Sequence, residues 1–278
     1  MPFDLTLYHT TADHQRQWLG AFAKGLKRCG VRFEMRLAGT GYRPADAGVF
    51  WGVRAQHLIK QCGNYVVLER GYFGDRTKHT AVGLNGLNNR ADFCNQVMPG
   101  DRWQQHGVAM QPWNPVGDYV LLVGQVEGDM STAHLHLSEF YKQAVKDIKA
   151  FIDLPIIFRP HPLSRRDMRI DGAKTSTRSL GDDLNGAAFV VTCNSNTGVD
   201  AMLAGKPVVI YDPGSMVTGL AAESVDELSL FEPDRQQWAY DLAYAQWTQS
   251  EIEAGDAWQH IKPRLFELCQ TDTDTGAQ

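Results

Sequence analysis

Cysteine is scarce and unpaired in this sequence. It occurs five times, at Cys29, Cys62, Cys94, Cys193 and Cys269, and never as a C-x-x-C pair. An odd, widely spaced set argues against a zinc site or a disulfide framework and for a reducing compartment. Histidines are scattered too. His134 and His136 alternate in "AHLH", but no carboxylate or cysteine stands near them at ligand spacing, so no metal site is expected. No apolar run approaches the roughly 18 residues of a membrane span. The start, "MPFDLTLYHT", lacks the basic lead and apolar core of a signal peptide and reads as a first strand. The expected location is cytoplasmic. Three nucleotide and hydrolase signatures are also missing. The absence of G-x-x-x-x-G-K-[ST] disfavours a P-loop ATPase, and the absence of G-x-G-x-x-G after the first strand of either half disfavours a dinucleotide oxidoreductase. The absence of G-x-S-x-G disfavours an α/β-hydrolase.

What is present is a long alternation of strands and helices. Hydrophobic residues make up 43% of the 278 positions, enough for one large or two ordinary cores. "FDLTLYH", "VRFEMRL", "AGVFWGV" and "NYVVLE" read as strands. "DHQRQWLGAFAKGLKRCG" places Trp18, Phe22 and Leu26 at helical spacing before Gly30. This rhythm predicts a parallel sheet covered by helices. Prolines and a glycine in "QPWNPVGD" (111–118) interrupt it, and it then restarts. "YVLLVG", "PIIF", "FVVTC" and "PVVIY" are apolar enough for buried parallel strands. The expected division is a first Rossmann-like domain over 1–115, a second over 116–270 and a disordered polar tail over 271–278. Charge is uneven along the chain. Residues 1–118 hold 14 Lys+Arg against 9 Asp+Glu, whereas 119–278 hold 13 against 23. A basic half beside an acidic one suits a polyanionic partner.

Ligands of open parallel sheets bind beyond the carboxyl ends of the strands. In the second half those ends read Gly124-Gln125-Val126-Glu127-Gly128-Asp129, Arg159-Pro160-His161-Pro162, Asn194-Ser195-Asn196-Thr197-Gly198 and Asp212-Pro213-Gly214. Asn194 or Ser195 can cap a helix starting near Asn196 and Thr197, and free N–H groups at such a start bind phosphate. Arg159 and His161, stiffened by two prolines, complete a phosphate clamp, and Asp200 is placed to reach a ribose hydroxyl. In the first half, "NYVVLE" ends at Glu69 and runs into a stretch crowded with Arg70, Asp75, Arg76, Lys78 and His79. Glu69 or Asp75 is the candidate general base for a hydroxyl. Asn85, Asn88 and their glycine neighbours mark a loop with special backbone angles.

"LLVGQVEGDMS", "FRPHP", "VVTCNSNTGVDAMLAGKPVVIYD", "WAYDLAYAQWTQSEIEAG" and "VLERGYFGDRTKHTAVGLNGLN" together resemble the bacterial capsule polysaccharide synthesis proteins, the Kdo-transferase-like group. The resemblance spans roughly residues 64 to 256, and "ERGYFGDR" and "GLNGLNNRADF" are similar to compact phage-encoded relatives. It implies a GT-B glycosyltransferase, α/β with two Rossmann-like domains and a donor/acceptor cleft between them. It also implies a nucleotide-sugar donor (UDP-, GDP- or CMP-linked) and no obligatory metal or other cofactor. His161 with Arg159 matches the group's H-P element that contacts the donor phosphate. Ser195 to Thr197 match its serine-rich helix start, and Gln125 and Asp129 match its loop near the donor. Glu69 matches the glutamate of its N-terminal motif. Asp200 departs from the group, which usually has glutamate there.

The expected reaction is therefore sugar transfer to a hydroxyl, with Glu69, Asp75 and His161 catalytic. Gly124, Gln125, Asp129, Arg159, His161, Asn194, Ser195, Asn196, Thr197 and Asp200 are expected at the donor. Arg70, Tyr72, Arg76, Lys78, Asn85 and Asn88 are expected at the acceptor. Phage relatives and the basic first half favour hydroxymethylated pyrimidines in DNA as acceptor, in the cytoplasm of a bacterial host. The first alternative is a surface-polysaccharide acceptor with a CMP-linked acidic sugar. A non-catalytic nucleotide-sugar- or DNA-binding protein is the alternative of another class, and a nucleotide-sugar epimerase is a weaker rival.

Overall fold

The computed structural model of the chain describes residues 3–164, 168–228 and 232–275, the last four by backbone alone. It consists of two compact α/β units, Met1–His106 with Gln237–Gln278, and Gly107–Gln236.

The first unit opens with β1 (Asp4–His9), α1 (Asp13–Arg28), β2 (Arg32–Leu37), β3 (Ala47–Trp51), α2 (Gln56–Ile59), β4 (Tyr65–Arg70), β5 (His79–Leu84) and α3 (Asp101–His106). The periodicity of α1 is realised, with Trp18, Leu19, Phe22 and Leu26 buried. Asp13 in its first turn and Lys27 and Arg28 in its last complement the helix dipole. Strands β2, β1, β3 and β4 are parallel neighbours, so their carboxyl ends share one edge of the sheet.

Strand β5 was hidden in the sequence. β5 lies inside the stretch read as a polar loop, and it pairs antiparallel with β4. Five of its six residues are buried, so "HTAVGL" carries no alternation to announce it. Gly83 within it is required by packing, since a Cβ there would sit 2.8 Å from the Phe93 ring.

The second unit contains β6 (Tyr119–Val123), α4 (Leu137–Phe151), β7 (Ile156–Arg159), β8 (Lys174–Thr175), α5 (Leu180–Gly186), β9 (Ala187–Thr192), α6 (Thr197–Leu203) and β10 (Val208–Ile210). Its five strands are all parallel, in the order β10-β9-β6-β7-β8. Every residue of β6 and β9 is buried, as unbroken apolar strands between two helical layers require. The chain moves outward from β6 through β7 to β8 and then returns to β9 on the other side of β6. The topological switch point, where sheets of this kind bind ligands, therefore falls between β6 and β9.

The expected boundaries differ from the structure at the C-terminal side. The second unit ends near Gln236, and α7 (Gln236–Ala245), β11 (Gln246–Thr248), α8 (Gln249–Ala254) and α9 (Asp256–Thr275) belong largely to the first unit. The physical reason is its core. Trp247, Ile252, Trp258, Ile261 and Leu265 are buried with Leu5, Leu7, Trp18, Phe22 and Leu26. β11 adds an antiparallel edge strand beside β5. The expected disordered tail is likewise corrected over its first part, because α9 runs to Thr275; residues 276–278 lie outside the described residues.

The return of this acidic segment changes the charge argument. The first unit as folded holds 16 Lys+Arg against 15 Asp+Glu, and the second holds 11 against 17. The basic half of the sequence is not a basic unit of the structure. Among the described residues no helix is long and apolar enough to cross a membrane.

Candidate functional site

In the first unit, Glu69 stands at the carboxyl end of β4 and is held from two sides. Tyr72 Oη donates to its Oε1 at 2.5 Å, and the Asn88 N–H donates to the same oxygen at 3.2 Å. Tyr72 is buried. Burial and the neighbouring carboxylate hold its phenol well above the usual tyrosine range, so it stays a donor. Asn88 takes a left-handed φ of 52°, which turns its N–H toward Glu69. Tyr72 and Asn88, expected at the acceptor, thus brace the carboxylate instead, Tyr72 by its side chain and Asn88 by its backbone.

Asp75, the other candidate base, serves a turn. Its Oδ1 accepts from the Thr77 N–H at 3.1 Å and from Thr77 Oγ1 at 2.7 Å, and Oδ2 pairs with Lys78 at 3.3 Å. These bonds lower its carboxyl to about 2, too acidic for a base near neutral pH. Lys78 is engaged with it. Arg70 is exposed and Arg76 half-buried. Asn85 is also structural. Its Oδ1 accepts from the Tyr65 N–H, its Nδ2 donates to Asn64 Oδ1, and both contacts are 2.8 Å long. Of the two candidate bases, Glu69 is the one not tied into a turn of its own segment.

The loop carrying these residues is clamped from the returning segment. Gln246, fully buried in β11, accepts from the Tyr72 N–H at 2.7 Å. Gly71 permits this, because a Cβ there would lie 2.8 Å from Gln246 Oε1. Arg102 in turn donates to the Gln246 carbonyl at 2.8 Å and to Glu251 at 2.5 Å, and it stacks 4.0 Å from the Trp247 ring centroid.

In the second unit, the strand ends around the switch point divide into a bonded floor and a polar lip. Gln125 and Asn194 form the floor. Gln125 Nε2 donates to Asn194 Oδ1 at 2.6 Å, and the Asn194 N–H donates back to Gln125 Oε1 at 3.0 Å. Both are buried, so their expected direct contact with a donor is corrected to a supporting one. Arg159 is corrected as well. Its guanidinium donates to the Arg178 carbonyl at 2.7 Å and to Asp183 at 2.8 Å, and Asp183 is fully buried. A buried carboxylate needs such a partner, and it takes the charge meant for a phosphate. Asp129 Oδ1 accepts the Ser131 N–H at 2.9 Å, which fixes the turn of the loop after β6. Gly124 is wedged, since a Cβ there would meet the Phe158 ring at 2.9 Å and the Arg159 carbonyl at 3.0 Å.

The lip consists of His161, Ser195, Asn196, Thr197 and Asp200, all half-buried. Ser195 Oγ accepts from the Thr197 N–H at 3.2 Å, and Asn196 caps α6 through its backbone alone. His161 sits in a turn closed by its own carbonyl accepting the Ser164 N–H at 2.9 Å. Its Nδ1 accepts from the Leu163 N–H at 3.1 Å. The neutral ring therefore carries its proton on Nε2.

Two solved structures share this architecture. A Thermosulfurimonas dismutans KpsC, beta Kdo 2,7 transferase, matches with a TM-score of 0.56 at 15% identity, over 93% of this chain and 99% of that one. A Thermosulfurimonas dismutans KpsC, beta Kdo 2,4 transferase, matches with a TM-score of 0.59 at 15% identity, over 88% and 92%. The chain has the GT-B fold. No protein-family profile and no curated protein matches it. At this identity the likeness extends to the fold, and the roles of individual residues rest on the geometry.

Several participants were not anticipated. Gln246 and Arg102 are remote in sequence from what they hold, and Asp183 meets Arg159 from 24 positions away. Ser215 is buried, and its Oγ, which makes no hydrogen bond among the described residues, faces Gly198 at the start of α6. Among the described residues no group of three or more His, Cys, Asp or Glu is arranged to hold a metal.

Proposed function

We propose that the chain is a glycosyltransferase that moves a sugar from a nucleotide-sugar to a hydroxyl acceptor. The observation that carries this reading is the lip at the switch point of the second unit. There a helix start with hydroxyl side chains stands at one strand end and an imidazole of fixed tautomer at another. In this reading Ser195, Thr197 and His161 Nε2–H bind the donor phosphate and stabilise it as charge develops on the leaving group. Asp200 takes the ribose. In the first unit Glu69, oriented by Tyr72 and Asn88, deprotonates the acceptor hydroxyl if the anomeric centre is inverted.

The acceptor in this reading is a glycan, and the donor is a CMP-linked acidic sugar. Two points support this. The fold is shared with two proteins described as Kdo transferases. The near-neutral first unit removes the argument for a polyanion such as hydroxymethylated DNA. The test is a mass-spectrometric screen of UDP-, GDP- and CMP-sugars against an uncharged oligosaccharide and hydroxymethylcytosine-containing DNA. A sugar mass on the oligosaccharide, from a CMP donor, is expected. A sugar mass on the DNA would overturn the acceptor assignment, and no transfer from any donor would count against the reaction class.

A further inference from the structure

The outer edge of the first unit's sheet is β2, which among the described residues pairs with β1 alone. An edge strand turns a row of backbone N–H and C=O groups outward, where another strand can take them. Successive residues of β2 face opposite sides of the sheet. Phe33, Met35 and Leu37 form one row, and the first two are in register with the core residues Leu5 and Leu7. Phe33 packs against that core, whereas Met35 and Leu37 are 40% and 41% exposed. The other exposed large apolar side chains among the described residues, Val97, Val116, Phe151 and Leu163, each come from a separate segment. Glu34 and Arg36 occupy the other face, in register with Thr6 and Tyr8.

Charges on an edge strand commonly prevent pairing. Here their order selects one partner, a second copy of the same strand. Directly opposed side chains of an antiparallel pair share a face, so a two-fold axis through a residue of β2 keeps both apolar rows on one side of the joined sheet. An axis at Glu34 would oppose Glu34 to itself and Arg32 to Arg36. An axis at Phe33 would leave Arg36 and Leu37 with no strand opposite. An axis at Met35 opposes Met35 to Met35 and Phe33 to Leu37, and it sets Glu34 against Arg36 on both sides of the axis.

The side chains on the polar face suit that register. Arg36 Nη1 donates to Glu34 of its own strand at 2.9 Å and Nη2 donates to the Thr40 carbonyl at 3.5 Å, which leaves other N–H groups of the guanidinium for a further carboxylate. Glu34 lines a groove of about 660 Å³ together with Asp4, Arg32 and Arg43, so a second long side chain has room beside it. We propose that β2 is a dimerisation edge, at which two copies of the chain pair antiparallel over residues 33–37 about a two-fold axis at Met35. The two six-stranded sheets then join into one. Met35 and Leu37 leave water on one face, and two Glu34–Arg36 pairs close the other.

The test is sedimentation equilibrium of the full chain over a concentration series. The wild type is expected to show a reversible monomer–dimer equilibrium. Met35→Lys, which sets two like charges at the axis, is expected to stay monomeric with an unchanged melting temperature. Glu34→Arg is expected to raise the dimer Kd about ten-fold, equal to about 1.4 kcal/mol. The double variant Glu34→Arg with Arg36→Glu is expected to recover most of this, because opposite charges face each other again. Opposed Cα atoms lie about 4.5–5.5 Å apart, within disulfide reach, so Met35→Cys treated with diamide is expected to give a linked dimer that is absent from the wild type. A wild type that is monomeric at every concentration would overturn the inference. So would a dimer that Met35→Lys leaves intact, which would put the interface elsewhere. No recovery in the double variant, or no linkage through position 35, would overturn the register.

Discussion

The phenol of Tyr72 donates to Glu69 Oε1 at 2.5 Å, and the Tyr72 N–H donates to Gln246 Oε1 at 2.7 Å. One buried residue thus links the candidate base to the segment that closes the first unit's sheet. Tyr72→Phe removes the bond to Glu69 and keeps the ring packed. Hydrogen bonds to charged groups contribute about 1.5–3 kcal/mol, so urea unfolding is expected to show a loss in that range. If Tyr72 positions the base, kcat falls while the KM for acceptor is unchanged. A rise in KM with constant kcat would instead place Tyr72 in acceptor binding.

Arg159 and Asp183 give a second prediction. Arg159→Met leaves the fully buried Asp183 with Arg178 and Ser176 but without its 2.8 Å partner. Breaking a buried pair typically costs about 3–5 kcal/mol; the remaining partners reduce this to about 2 kcal/mol. The denaturation midpoint is expected to drop accordingly, with nucleotide affinity within two-fold or so of wild type, a change of about 0.4 kcal/mol. A stable variant with lost affinity would return Arg159 to the phosphate.

His106 supplies the pH dependence. Its ring packs 4.8 Å from both Phe73 and His79, and burial lowers its pKa to about 4. The unfolded chain then binds the proton more readily than the folded one between about pH 4 and the ordinary histidine value near 6.5. This contribution is complete above about pH 6.5 and is lost as pH falls toward 4. His106→Gln is expected to flatten the stability difference between pH 7.5 and 4.5 seen for the wild type. Parallel slopes for the two proteins would contradict it.

The sequence made the parallel strands and their order of use legible, because "YVLLV", "PIIF", "FVVTC" and "PVVIY" are apolar runs of strand length between helical segments. His161 and the helix start at Thr197 were legible for the same reason, as they follow such runs directly. β5 was not, because an antiparallel strand buried at five of its six residues, with a glycine among them, has no period to read. Nor was the return of the last helices. Trp258 and Ile261 show that this segment needs a core, but not which core. The floor residues illustrate the remaining limit. Gln125, Asn194 and Arg159 stand where ligand groups stand, and their side chains are diverted, Gln125 by Asn194, Asn194 by Asp212 and Arg159 by Asp183, whose proximity is a product of the fold.

The central claim is that Glu69 activates the acceptor while the second unit holds the donor. Single-turnover sugar transfer by Glu69→Gln, set beside its nucleotide affinity, tests it most directly. The account predicts a rate lower by about 10²–10⁴, the usual worth of a general base, with nucleotide affinity equal to wild type. Transfer at the wild-type rate would contradict it.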